Sequence, residues 1–159
     1  MRWTSIAAAF LALGVAFGAF GAHLLQARLD NYAMTIWERA VMYHFFHALG
    51  LLAVPALARV GLISTRAAEW TCRLLAAGIV LFAGSLYLLA LTGERLFGAI
   101  TPFGGVAFIV AWVVLAAAAT RTGVSPLIAG EESSRARSAP ATDAGTAAAS
   151  RPAVSSTSR

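Results

Sequence analysis

Residues 40–58 of the chain read AVMYHFFHALGLLAVPALA and contain no charged side chain. A helix that crosses the bilayer core, which is about 30 Å thick, needs about 20 mostly apolar residues. The same test selects three further stretches, at residues 3–22, 74–93 and 96–120, and the last of these is narrowed below to 102–120. The chain is therefore predicted to be an all-α, polytopic membrane protein whose four transmembrane helices form a bundle.

The bulk composition excludes the other broad classes of protein. The chain has 159 residues, of which 59% are hydrophobic and 12% are charged, whereas soluble domains carry about 25% charged residues. The net charge of +5 comes from arginines placed between or beyond the apolar stretches. There they are expected to orient the protein and to contact lipid rather than nucleic acid. The single cysteine, Cys72, excludes an intrachain disulfide, an iron–sulfur cluster and a thiolate zinc site.

Two prolines refine the helix boundaries. Thr101 can serve as a helix cap, and Pro102 is favoured at the first helical position because its missing N–H is unpaired there in any case. The fourth helix is therefore predicted to begin at Pro102, with residues 95–100 as a short interfacial segment. Pro55 is expected to kink or end the last turn of the second helix.

The remaining boundaries follow from smaller signals. The second helix can begin earlier than its charge-free stretch, near Asn31, and Ser64 or Thr65 can cap the third helix. Residues 19–21 loosely fit the cleavage site of a signal peptide. The first apolar stretch is longer than a signal peptide needs, so a retained helix is expected.

The arginines close to the spans predict the orientation of the protein. Both termini are expected to be cytoplasmic because the cytoplasmic side then has the larger number of arginines. Residues 1–120 form the predicted transmembrane domain, and residues 121–159, rich in Ala, Ser, Thr, Pro and Arg, are expected to be a disordered cytoplasmic tail. This tail either contacts lipid or a partner, or is dispensable. The cytoplasmic group is Arg2, Arg59, Arg66, Arg73 and Arg121, and the opposite group is Arg28, Arg39 and Arg95.

Polar residues at membrane depth are the first candidates for function, because they are expensive there. Arg39, Tyr43 and His47 follow each other by one helical turn on one stripe, and His44 lies about 60° to the side. The stripe is expected to face other helices or a wet cavity. Histidines of the stripe, with His23 from the first helix, could bind a metal or a haem iron, or move protons. Alternatively, they are interhelical hydrogen-bonding groups.

Small residues recur at helical spacing in three of the four spans. They would let helix backbones approach each other, either within one bundle or between copies of the chain. The candidate packing residues are Gly14, Gly18, Gly21 and Ala22 in the first span, Gly84 in the third, and Gly104 and Gly105 in the fourth.

Enzymatic signatures are absent from the sequence. It contains no G-x-S-x-G, P-loop or G-x-G-x-x-G motif. Glu69 and Glu94 fall on opposite sides of the membrane in this topology, so they cannot form a catalytic pair. We therefore expect no catalytic residues.

Four phrases of the sequence stand out: GAFGAH at 18–23, Tyr43 with HAL at 47–49, GSLYLLAL at 84–91 and TPFGG at 101–105. They resemble the YgdD-like family, a domain-of-unknown-function family of small four-helix bacterial membrane proteins with a eukaryotic transmembrane relative. The resemblance implies a bacterial inner-membrane protein and no reaction, because the family has no established activity. His44 departs from the family pattern, where glutamine is expected, which leaves His23 and His47 as the stronger pair.

The sequence therefore predicts a non-enzymatic component of the membrane that packs with itself or with a larger partner. The first alternative is a binder of a metal, haem or quinone-like ligand through His23, Tyr43 and His47. The second is a small transporter or proton-conducting protein. Ser85 and Tyr87 are weaker candidates for the polar site, and no cofactor is predicted.

Overall fold

The computed structural model describes residues 2–122. This part of the chain contains helices and turns and no strand, and four of its continuous helical stretches are long and apolar enough to cross a membrane. The first and third stretches each include a π-helical segment, in which the backbone makes wider turns. The predicted tail lies outside the described residues, apart from its first two positions. The elements are α1 (Arg2–Phe20) with a π segment (Gly21–Leu25), α2 (Asn31–Arg59), α3 (Thr65–Gly78), a second π segment (Ile79–Ala83), α4 (Gly84–Thr92) and α5 (Arg95–Thr122).

Short polar caps begin two of the helices. The Asp30 carboxylate accepts a hydrogen bond from the Ala33 N–H at 2.7 Å, so α2 begins at Asn31. The Ser64 hydroxyl accepts one from the Ala67 N–H at 3.2 Å, which confirms the predicted cap of the third span. Each cap satisfies one of the N–H groups that a helix start leaves unpaired.

The predicted cap of the fourth helix is wrong. Both Thr101 and Pro102 lie inside α5, which begins at Arg95. The Thr101 hydroxyl bonds instead to the Phe97 carbonyl at 3.3 Å and to the Ser85 hydroxyl at 2.8 Å. A proline inside a helix removes one backbone hydrogen bond, and in a membrane bundle neighbouring groups compensate for such a loss. The residues expected to form an interfacial segment are thus the first turns of the helix.

Proline also fails to end the second helix. Pro55 lies inside α2, which continues to Arg59. The helix is the central element of the bundle, since it contacts α1, α3 and α4 and has seven buried residues. Of residues 2–20, which form α1, only Ala7 and Gly14 are buried. The outer helix therefore leaves most of its surface facing lipid.

The glycines of the first span pack against α2. A Cβ built on Gly14 would lie 3.2 Å from the Phe45 ring, and one on Gly21 would lie 2.5 Å from Trp37 Nε1. Gly18 is the looser contact, 3.7 Å from Val41. Because these three glycines have no side chain, α1 can approach α2 closely, as small residues allow in membrane bundles.

Two of the predicted packing residues are misplaced. Ala22 is exposed, and a Cβ on Gly84 would meet no atom within 4 Å. Both follow the start of a π segment. The wider turns there change the face on which the following residues lie, so a strict 3.6-residue spacing assigns them wrongly.

The glycines of the fourth span differ from each other. A Cβ on Gly104 would collide with the backbone N of Phe82, whereas one on Gly105 would make ordinary contact with the Phe82 ring at 3.7 Å. At Gly104, α5 therefore lies directly against the backbone of the second π segment.

Candidate functional site

His44 lies in an aromatic environment between α2, α1 and α4. Its side chain is 3% exposed, and its Nδ1 is 3.3 Å from the Tyr87 hydroxyl. The rings of Phe10 and Phe17 meet the imidazole edge-on, with centroids 5.7 and 6.2 Å away. Its Nε2 is buried and has no hydrogen-bond partner within the described part of the chain. His44 and Tyr87, the weaker candidates, thus form the more enclosed polar pair.

Trp37 lies two turns from His44 on the same face of α2 and belongs to the same cluster. It is 2% exposed, and its Nε1 donates a hydrogen bond to the Phe17 carbonyl at 3.0 Å. Its ring centroid is 4.6 Å from that of Tyr87. The absence of a side chain on Gly21 gives the indole its space. This bond joins α1 to α2 inside the bundle, where an unpaired indole N–H would be costly.

His47 faces the other side of the bundle, towards α5. Its Nδ1 is 2.7 Å from the Tyr43 carbonyl. Since a carbonyl can only accept, this nitrogen carries the proton and donates. The imidazole stacks on Phe108, with centroids 3.4 Å apart and planes at 16°. Gly78 makes room for the Phe108 ring, because a Cβ on Gly78 would lie 2.5 Å from that phenyl ring.

Tyr43 lies beside His47 and packs against the second π segment. Its ring centroid is 4.6 Å from that of Phe82 and 5.8 Å from that of His47. Tyr43 and His47 therefore face neighbouring helices, whereas Arg39, on the same predicted stripe, is exposed. Arg39 lines a groove between α2, α4 and α5 with a volume of about 550 Å³.

His23 is not brought near the other histidines. It is exposed in the first π segment. Gly21 packs beside Met34 and Trp37, so His23 lies next to the first turns of α2. His47 is thirteen residues beyond Met34, or about 20 Å along the helix at 1.5 Å per residue. Among residues 2–122 no three His, Cys, Asp or Glu side chains are close enough to share a metal ion.

Ser85 makes a polar contact between α4 and α5. Its hydroxyl donates to the Phe82 carbonyl at 3.0 Å and pairs with the Thr101 hydroxyl at 2.8 Å. The residue is 4% exposed. Its hydrogen bonds are thus made inside the bundle, to its own helical stretch and to α5.

At the end of the bundle where α1 begins, Glu69 joins α3 to α1. Its carboxylate accepts a hydrogen bond from Trp3 Nε1 at 2.6 Å and one from Arg73 Nε at 3.1 Å. Arg2 approaches it at 3.5 Å. The location suits an exposed cluster at the membrane surface, where Trp and Arg are both favoured.

Sequence reasoning missed Trp37, Phe17 and Phe108. A signal for Trp37 exists, since it precedes His44 by seven residues and therefore shares its face of a helix. No comparable signal exists for Phe17 or Phe108. Each is one of several aromatic residues in an apolar stretch, and their role depends on which face the partner helix covers.

Comparison with known proteins covers most of the helical region. A family model described as a protein of unknown function, DUF423, matches residues 17–105. The chain is 47% identical over 111 residues to the UPF0382 membrane protein YwdK of Bacillus subtilis, which covers 69% of this chain and 88% of that protein. It is 50% identical over 103 residues to a UPF0382 membrane protein of Staphylococcus epidermidis, covering 65% and 82%. No solved structure matches the chain.

Proposed function

The chain belongs to the DUF423 family of proteins of unknown function, and we propose that it is a non-enzymatic component of the bacterial inner membrane that associates with a second copy of itself through α1. It is a membrane protein with four apolar helices, and its relatives are named membrane proteins. We also propose that its membrane is the bacterial inner membrane and that it belongs with the YgdD-like proteins. The four sequence phrases and the bacterial relatives support these two proposals.

The observation that carries the proposal is a row of alanines on α1, which we call the alanine seam: Ala9, Ala12, Ala16 and Ala19. All four are exposed. At 100° per residue they lie on the side opposite Gly14, which packs on α2. The glycines of α1 are therefore used inside the bundle, and the alanine seam is left for a contact outside it.

Such a seam suits helix association in lipid. Apolar surface gains nothing from leaving lipid for another helix, so association depends on close van der Waals packing, which small residues allow. The spacing of three and four residues is that of a left-handed helix pair crossing at about +20°. Two copies of α1 can therefore pack along the alanine seam.

The interior contacts support a non-enzymatic role. His44 contacts Tyr87, His47 contacts Tyr43 and Phe108, and Ser85 contacts Thr101. Each of these polar groups joins one helix to another or to its own backbone. Contacts of this kind in membrane bundles contribute about 0.6 to 2 kcal/mol each.

Disulfide cross-linking in membranes tests the seam. Cys72 is buried and is replaced by alanine so that an introduced cysteine is the sole thiol. Ala12→Cys is expected to form a cross-linked dimer, since bridging requires Cα atoms closer than about 7 Å. Leu13→Cys is the matched control, because Leu13 is 47% exposed but points about 80° away from the centre of the seam. Equal cross-linking at both positions, or none at Ala12→Cys, would contradict the proposal.

We also propose that both termini are cytoplasmic. The end of the bundle that holds the start of α1 has five arginines near the spans and the other end has three: Arg2, Arg59, Arg66, Arg73 and Arg121 against Arg28, Arg39 and Arg95. This bias supports the orientation through the excess of positive residues in cytoplasmic loops. A fluorescent protein fused after residue 159, of a type that matures only in the cytoplasm, is expected to fluoresce, and a dark fusion of normal abundance would contradict the orientation.

A further inference from the structure

The groove beside Arg39 has both a charged and an apolar wall. It has a volume of about 550 Å³ and lies between the first turns of α2, α4 and the first turns of α5, within the size range of ligand sites. Its apolar wall is formed by Phe82, Leu86 and Leu89, and Arg39 is the charged residue that lines it. Gly98 leaves space on the α5 side.

Within residues 2–122 no partner compensates the charge of Arg39, because its guanidinium makes no ion pair or hydrogen bond there. The neighbouring carboxylate, Glu38, lines a different groove on the α1 side of the helix. The hydroxyls of Thr35 and Thr101 are already bonded, to the Asn31 carbonyl at 2.7 Å and to Ser85. A ligand would therefore meet a free cation and few other polar groups.

The position of the groove relative to the bilayer indicates the kind of ligand. Arg39 immediately precedes the charge-free residues 40–58, so it lies near the boundary between headgroups and acyl chains. Tyr32 also lines the groove and is 74% exposed, and tyrosine is enriched at membrane–water interfaces. The groove thus runs from headgroup depth into the apolar layer.

We propose that this groove binds one negatively charged phospholipid of the surrounding bilayer, with its phosphate on Arg39 and part of an acyl chain on the Phe82, Leu86 and Leu89 wall. Arginine matches phosphate because its planar guanidinium donates two parallel hydrogen bonds. The apolar wall accounts for the chain, which a free phosphate ion would lack.

Lipid titration of the purified full chain, with bound lipid counted by native mass spectrometry, tests this. The wild type is expected to retain one phosphatidylglycerol in preference to phosphatidylcholine. Arg39→Gln is expected to weaken phosphatidylglycerol binding about tenfold, the loss expected for a charge-assisted hydrogen bond. Arg28→Gln is the matched control, because Arg28 is exposed at the same end of the bundle but outside the groove, and it is expected to bind as the wild type does.

A second variant blocks the groove without changing its charge. A Cβ on Gly98 would make only ordinary contact, 3.5 Å from Leu89, so Gly98→Leu is expected to fold and to weaken binding by a similar factor. Equal weakening in Arg28→Gln, unchanged binding in Arg39→Gln, or displacement of the lipid by equimolar inorganic phosphate would each overturn the proposal. The groove is remote from the alanine seam in sequence and lies on other helices, so the binding result does not depend on whether the chain forms dimers.

Discussion

Gly104 and Gly105 are adjacent, and the structure predicts opposite effects of alanine at the two positions. At Gly104 the added Cβ would collide with the Phe82 backbone N and would lie 2.7 Å from the Phe82 Cβ. At Gly105 it would lie 3.7 Å from the Phe82 ring, an ordinary contact. The two substitutions add the same methyl group to the same helix, so each serves as the control for the other.

The magnitudes follow from these contacts. Carbon atoms pack best at about 3.5 to 4 Å, so Gly104→Ala requires α5 to move away from the second π segment by about 1 Å. Overpacking of this kind costs about 1 to 3 kcal/mol. Gly105→Ala is expected to be neutral or to raise the free energy of unfolding by up to about 1 kcal/mol, because alanine favours a helix over glycine. The two variants are therefore expected to differ by about 1 to 4 kcal/mol.

Reversible unfolding in mixed micelles, with sodium dodecyl sulfate as the denaturant and circular dichroism as the readout, measures this difference. The expected order of stability is Gly105→Ala, wild type, then Gly104→Ala. If the two variants are equally stable, or if Gly104→Ala is the more stable one, the close approach of α5 to Phe82 is wrong.

Three further substitutions test other contacts. His47→Ala is expected to lower the free energy of unfolding by about 1 to 3 kcal/mol, because the Phe108 stack and the Tyr43 hydrogen bond are lost. His47→Phe keeps a ring and is expected to lower the free energy of unfolding by less. Equal losses in the two variants would refute the stacking contribution. Glu69→Gln weakens the charge-assisted bond from Trp3, so hydrogen exchange should accelerate in the second turn of α1, where the N–H groups bond within the helix. An unchanged rate would contradict that role. Ser85→Ala is expected to cost about 0.6 to 1.7 kcal/mol in the same unfolding assay, and a neutral result would show that its bond to α5 does not stabilise the bundle.

Much of the fold was predictable because bilayer thickness sets the length of a spanning helix. The four apolar stretches, the start of α2 near Asn31 and the Ser64 cap all follow from local sequence. The start of α5 did not follow from local sequence, because Thr101-Pro102 fits both a helix start and a helix interior. The decision depends on a hydroxyl partner, Ser85, on another helix, and local sequence does not contain that information.

The site was less predictable because it depends on phase and on partner helices. Tyr43 and His47 do face neighbouring helices, as the stripe indicates. The π segments change the phase of the residues that follow α1 and α3. Sequence periodicity cannot reveal these segments, so Ala22 and Gly84 were assigned to the wrong faces. Likewise, the predicted pairing of His23 with His47 fails because α1 and α2 run antiparallel. This places His23 beside the first turns of α2, far from His47.

Sedimentation equilibrium in density-matched detergent, performed on the wild type and on Ala12→Leu, tests the central claim most directly. Ala12 is exposed and lies on the side of α1 opposite Gly14, which packs on α2, so the leucine leaves the bundle intact but separates two packed α1 helices. The account predicts a mass of two chains for the wild type and of one chain for Ala12→Leu, with equal helix content. A wild type with the mass of one chain at every concentration, or a variant that remains a dimer, would contradict it.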